Sequence, residues 1–578
     1  MTIKKSHRLD ITKSHLRPAN TVMNLERLGS SYPYRLSFMR ILIRRIMKEK
    51  WQIERTTFEL DKEGYGDAIY EIRTPKKKYS FVVFADFLDP DKRSDRVIAD
   101  QWDITVALCE GSINQSRLGM LRKNVPLQEK GRLDSKCIVL SRANKSTRNF
   151  EYVIGRLASG KQPSLSVIAK VGYLYRTTAV YGSGKFGMAD WQKVESNYQD
   201  FSQSFAAEMF TCYLIRQFSI EQADFLAQER SPDTAVSMHI DIKRYIGIGN
   251  ATGLGMAPFL INHPLLINHW IEIRETALAR VFLLGKPSKA LLKHFASLAN
   301  RAKQHLEEIS TDNEQQNSIN YKTGKDISLF MEWFELEKYK ISQWTELADH
   351  ATKNTGIETQ ELINTILIEL HPELTQDLEN TPNIEESYEL IPEMLITSLR
   401  DIIRSHYAWA LDVDFTSNHS NAVFWYRSEE KMEPRLGQRD SDPGADREMM
   451  VGVARLVRQC YDGINRLDLN NIKLTVAQFV FFHPQYRLII RRIQTMSKTQ
   501  YGDIQANLLD EGVLPIHLLR CKLSFFGVGK FDPKSRLWVR NTMFQGAPIQ
   551  SDIRSNHIDD WFFPIMPFAK QDKGNEHN

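Results

Sequence analysis

Cysteine is scarce in this chain: five residues among 578, at positions 109, 137, 212, 460 and 521. None forms a C-x-x-C pair and the count is odd, which excludes a zinc ribbon and favours reduced thiols. Long hydrophobic runs are missing as well. The most apolar stretches, such as YSFVVFADFL, fall short of the roughly 20 residues that a membrane helix needs. The polar start MTIKKSHRLDITKSH lacks the apolar core of a secretory signal. A cytoplasmic protein without a membrane partner is expected. Charge of one sign is equally sparse: 76 Lys+Arg against 71 Asp+Glu leave a net +5, far from the concentrated basicity of a dedicated nucleic-acid binder.

What the chain does have is core material. Hydrophobic residues make up 42% and aromatics 10%, enough to bury substantial cores, and the length suggests about three or four domain-sized units. The expected fold class is α+β, multi-domain, with mixed sheets and a helix-rich insertion.

Patterning divides the chain into four regions. Residues 1–134 open with RLSFMRILIRRIMKEKW, which sets Leu36, Met39, Ile43 and Met47 on one helical stripe and Arg40, Arg44 and Lys48 on another. An antiparallel meander comes next, with turns at EGYGD and TPKKK, then a helix through RVIADQWDITVALCEG. Residues 135–300 mix expected strands (KCIVLSRA, GYLYRTTAVY, VSMHIDIKRY) with helical runs and two glycine-rich stretches. In residues 301–410, an acidic helical insertion is expected behind a polar linker at HLEEISTDNEQQNSINYKTGKD. Residues 411–578 hold a charged loop, an expected strand at IKLTVAQFVFF and a further α+β region.

Three stretches carry chemistry. YGSGKFGMAD, residues 181–190, matches G-x-G-x-x-G after a strand-like run, so Gly182 and Gly184 could bring backbone N–H groups to a phosphate. Phe186 stands where a Walker A loop needs Ser or Thr, and no ribose-binding acid appears at the required distance. The remaining readings are a plain strand-to-helix turn, or a strand end that presents Tyr181, Lys185 and Asp190 as catalytic groups. FGVGKFD at 526–532 echoes this stretch and adds Lys530 as a fourth catalytic candidate. GIGNATGLGMAPF, from 247, offers Gly249 and Gly253 as pocket-lining residues, one or the other at positive φ, and Asn250 and Thr252 as neutral hydrogen-bonding groups. Thirdly, Arg427, Arg435 and Arg439 alternate with acids around Pro and Gly, and their forks could clamp an anionic group. They could equally pair with the neighbouring acids on a solvated surface.

No metal site is expected. His263 and His269 stand six apart, which does not suit helical ligands, and His239 with Asp241 supplies two ligands at most. The reading that results is an enzyme binding a small phosphate- or carboxylate-bearing substrate in a cleft between the N- and C-terminal halves, with reaction type, cofactor and oligomeric state open. Two alternatives remain. One is a nucleic-acid-associated protein using the Arg40/Arg44/Arg45/Lys48 edge; the other is an interaction scaffold using the acidic helical insertion.

Overall fold

The structure is a computed structural model that describes residues 11–567 except 93–100, 128–130, 180–197, 204, 254–259, 261–262, 382–387, 417–424, 429–433, 437–447, 468–472, 506–514, 536–537 and 556–560. The fold is α+β. Its centre is one mixed ten-stranded sheet of β1 (Gln52–Leu60), β2 (Gly66–Arg73), β3 (Lys78–Ala85), β4 (Ile104–Glu110), β5 (Gly131–Asp134), β6 (Cys137–Lys145), β7 (Tyr173–Thr177), β8 (Gly247–Gly253), β12 (Lys530–Pro533) and β13 (Trp538–Met543). The order is β1-β2-β3-β4-β6-β7-β8-β13-β12, with β5 beside β6. A separate three-stranded sheet joins β9 (Trp425–Ser428), β10 (Pro434–Leu436) and β11 (Glu448–Val451).

Alternation explains why β3 is buried on both faces. In KYSFVVFA, Phe81 and Val83 enter the main core while Val82 and Phe84 enter a smaller one with Leu118, Leu121 and Val125, as period-2 side chains require. The expected antiparallel meander is present as β1 to β3, and β4 extends it as a fourth antiparallel strand. Every pairing in the large sheet is antiparallel except β7 with β8.

The helices that frame the sheet and its surroundings are α1 (Phe38–Lys48), α2 (Leu165–Ala169), α3 (Ala206–Arg230), α4 (Ile240–Tyr245), α5 (Pro264–Phe282), α6 (Lys289–Glu308), α7 (Glu314–Glu337), α8 (Ile357–Glu369), α9 (Val476–Phe482) and α10 (Pro515–Phe526). Helix α3 packs on the sheet, where Phe218 and Phe225 meet Phe58 and Gln222 accepts the Tyr175 hydroxyl. The main core runs unbroken from Val22 to Phe563, so the four sequence regions share one interior, and position 300 falls within α6.

Several local expectations are corrected. ITVALCE forms β4, not a helix, because its branched and aliphatic residues fill both faces of the sheet. The polar stretch 305–326 is the end of α6 and the start of α7. The Asn313 side chain caps α7 by accepting from Gln316 N at 2.8 Å, and Phe330 and Phe334 anchor the helix on Phe295. TVAQFVFF is helix α9, started by a Thr475–Gln478 capping box. IDIKRY is helix α4, not a strand: His239 is its N-cap, with its ring accepting from Asp241 N. The H-x-D pair is therefore a cap.

Candidate functional site

The two halves of the chain meet at a strand pair. Residues 248–253 of β8 lie antiparallel to 538–543 of β13, with Asn250 opposite Asn541 and Ala251 opposite Arg540. On its other side β8 is the parallel partner of β7, with Gly249 beside Arg176. The carboxyl ends of β7 and β8 lead into residues 180–197 and 254–259, outside the described residues. Open sheets hold ligands at such carboxyl ends.

Register makes one face of this seam a polar row. Asn144 pairs with Arg176, Arg176 with Gly249, Gly249 with Thr542 and Thr542 with Lys530, which sets these residues side by side across β6, β7, β8, β13 and β12. Two residues further towards the carboxyl end of β8, position 251 pairs with Arg540 and Arg540 with Asp532, which makes the next row. Arg176, Lys530, Asp532 and Arg540 are all buried. Lys534 adds a cation, with Nζ 2.7 Å from Asp532 Oδ2, out of hydrogen-bonding direction, and bonded at 2.6 Å to Asp312. That bond holds the Asp312 carboxyl below its ordinary range. Cations outnumber carboxylates here. The buried atoms without a hydrogen-bond partner include Arg540 Nη1, 3.8 Å from Asp532, and Asp532 Oδ1. Leaving such a group unbonded costs about 1–3 kcal/mol.

The opposite face of the seam carries an amide relay. Asn541 Nδ2 donates to Thr252 Oγ1 at 2.9 Å, and Thr252 donates to Asn250 Oδ1 at 3.2 Å. Asn250 Nδ2 and Asn541 Oδ1 are buried and unpartnered.

Of the residues expected from sequence, Gly249, Asn250, Thr252 and Gly253 lie together on β8, and Lys530 stands two strands away on β12. The expectation of positive φ at Gly249 is corrected: it is ordinary strand, and glycine is required because a Cβ would lie 2.5 Å from the Tyr173 ring. The Lys530 ammonium caps α2, donating to the carbonyls of Ala169 at 2.5 Å and Lys170 at 3.3 Å. Burial pushes its pKa down to about 8, opposed in part by Asp532. FGVGKFD is a helix-to-strand turn: Gly527, at φ +96°, ends α10 where a Cβ would meet Met39 and Ser37. YGSGKFG lies outside the described residues.

Tyr181, Gly182, Gly184, Lys185, Asp190 and Arg439 lie outside the described residues. Arg427 is on β9, opposite Pro434, and Arg435 is on β10, opposite Tyr426. Sequence reading passed over Arg176, Asp532, Lys534, Arg540 and Asn541. A signal was available in KFDPK, where charges at 530, 532 and 534 repeat every second residue, the period of one strand face.

The three arginines of the basic edge of α1 are engaged internally, while Lys48 is exposed. Arg40 is bidentate to Glu369, Arg44 bonds Glu379 at 2.9 Å, and Arg45 bonds Glu49 and the Asp200 carbonyl. The acids of the helical region are the other half of these pairs: Glu361 takes Arg17 and Arg27, and Glu358 takes Arg520. Burial alone would raise Glu361, but Arg17, Arg274 and Arg27 outweigh it and hold the carboxyl at about 2. No helix among the described residues is long and apolar enough to cross a membrane. No protein-family model matches the sequence, and neither curated proteins nor solved structures give a match.

Proposed function

We propose that the protein is an enzyme that binds a small phosphate- or carboxylate-bearing substrate at the β8–β13 seam. Arg540 and Lys534 hold the anion, and Asp532 accepts a proton. The observation that carries this reading is Arg540, a buried guanidinium whose Nη1 has no hydrogen-bond partner and lies 3.8 Å from Asp532 at the carboxyl end of β8. An anionic oxygen there would gain a charge-assisted bond and remove the cost of the unmade one. Asp532 Oδ1 lacks a hydrogen-bond partner beside it, and a carboxylate beside a held substrate is suited to general-base work. Lys530 supports the site from behind by fixing the end of α2 against the same face. The nucleic-acid alternative draws less support, because Arg40, Arg44 and Arg45 already bond carboxylates or carbonyls of the chain itself.

Mass spectrometry of small molecules released from the purified protein tests the reading. A phosphate- or carboxylate-bearing compound should leave with the wild-type chain and be depleted in a folded R540M variant. Equal recovery from both proteins would contradict it.

A further inference from the structure

Two of the five thiols face each other across neighbouring strands, far from the seam. Cys109 on β4 and Cys137 at the start of β6 are partners in the antiparallel register, on the last rung of that ladder. Next to them, Glu110 N donates to the Lys136 carbonyl at 2.8 Å, the bond of a hydrogen-bonded pair. Pairs of the two kinds alternate, so 109 and 137 form a non-hydrogen-bonded pair, the kind with Cα atoms about 4.5 Å apart and side chains closest. A disulfide needs Cα atoms about 4.4–6.8 Å apart, and this rung provides that spacing.

The side chains use that closeness. Both belong to the smaller core, with Leu118, Leu121 and Val125, and the Cys109 thiol donates to Cys137 Sγ at 2.7 Å. Non-bonded carbon atoms pack best at roughly 3.5–4.0 Å, and sulfur is larger than carbon. A buried cysteine is commonly just a small apolar filler. Filling space accounts for the burial of each residue, at 1% and 0% exposed, but not for two free thiols brought inside contact distance on one rung.

We propose that Cys109 and Cys137 are a redox-modification site, a dithiol that a small peroxide converts into a cross-strand disulfide. Cys137 Sγ, the acceptor of the thiol contact, gives up its proton and attacks one peroxide oxygen. The O–O bond breaks, a sulfenic acid forms on Cys137 and the other oxygen leaves as water. Cys109 Sγ then attacks the Cys137 sulfur, the S–S bond forms, and the hydroxyl departs as a second water with the Cys109 proton. Two thiols are oxidised by two electrons and one peroxide is reduced to two waters. The bond to Cys137 and burial both hold the Cys109 thiol protonated, which suits the residue that reacts second. The end of a strand ladder opens locally more readily than its middle, which admits a molecule little larger than water.

The new bond closes the segment 110–136, which carries the helix Gln115–Asn124 and β5. Closing it restricts the unfolded chain and leaves the native rung in place, so oxidation stabilises the fold. The pair lies on β4 and β6 and does not depend on Arg540 or on the proposed seam site.

The test treats the reduced full chain with hydrogen peroxide, removes the excess with catalase, denatures the protein and counts its thiols, with a mass-spectrometric peptide map alongside. The five thiols should fall to three, and dithiothreitol should restore all five. The map should show the peptides of Cys109 and Cys137 joined, two hydrogens lighter than their sum. Oxidised wild type should melt a few degrees above the reduced chain, and C137A should show no such rise. The thiol count and the map need only the wild-type chain. Five thiols after peroxide, a bridge to any other cysteine, a melting temperature unchanged or lowered by oxidation, or an equal rise in C137A would overturn the proposal.

Discussion

The guanidinium of Arg40 bonds the carboxylate of Glu369 through two hydrogen bonds of 2.6 and 2.9 Å, with both groups buried between α1 and α8. The rings of Trp561 and Phe562 each lie 5.4 Å from the guanidinium. The pair ties the start of the chain to its helical region and its tail. Removing one partner leaves an uncompensated buried charge, so E369A should lose about 3–5 kcal/mol of stability. Replacing both by Met should recover most of that loss, as measured by urea unfolding. A double variant no more stable than E369A would argue against this account of the pair.

At Gly249 the constraint is space. The missing Cβ would stand 2.5 Å from Tyr173 Cε1, so G249A should destabilise by about 1–3 kcal/mol through overpacking. Combining it with Y173L should cost less than the sum of the single changes. Additive losses would show that the close approach of ring and strand is not what requires glycine.

Two buried histidines set an acid-side dependence. Burial lowers His305 and His517 to about 4, helped at His517 by the charge of Arg520. An unfolded histidine takes its proton near 6.5. Between those values the unfolded chain binds more protons, so stability falls as pH drops from 6.5 to 4, by up to about 3 kcal/mol per histidine. H517L should flatten part of this slope in urea titrations at pH 7, 5.5 and 4.5. A slope identical to wild type would contradict the assignment.

The parts of the fold legible in the sequence were those written in local periodicity. The alternating runs that became β1 to β3 and the amphipathic α1 declared themselves. TVAQFVFF did not, because a short apolar run reads equally as strand or helix, and the Thr475–Gln478 capping box decided it. Residues 305–326 looked like linker because their polar side chains include caps and exposed helix positions, while the anchoring rings of Phe330 and Phe334 come only afterwards. The functional alternatives failed to separate for a long-range reason: a basic helix and an acidic region each look like partner surfaces until Arg40 is seen on Glu369 and Arg44 on Glu379. Gly249, Asn250 and Thr252 were recognisable as a glycine-rich stretch with polar groups. Their neighbours Arg540 and Asn541 were not, since the pairing of β8 with β13 has no local signature.

The central claim is that the seam binds an anion through Arg540. Calorimetric titration of the purified chain with inorganic phosphate, and separately with succinate, tests it most directly. R540K keeps the charge and loses the planar fork, and losing one charge-assisted bond costs roughly 1.5–3 kcal/mol, about tenfold or more in affinity. The account predicts saturable binding of at least one of the two anions to the wild-type chain, weakened at least about tenfold in R540K while the melting temperature stays within a few degrees. Absence of binding by both anions, or equal binding by wild type and R540K, would contradict it.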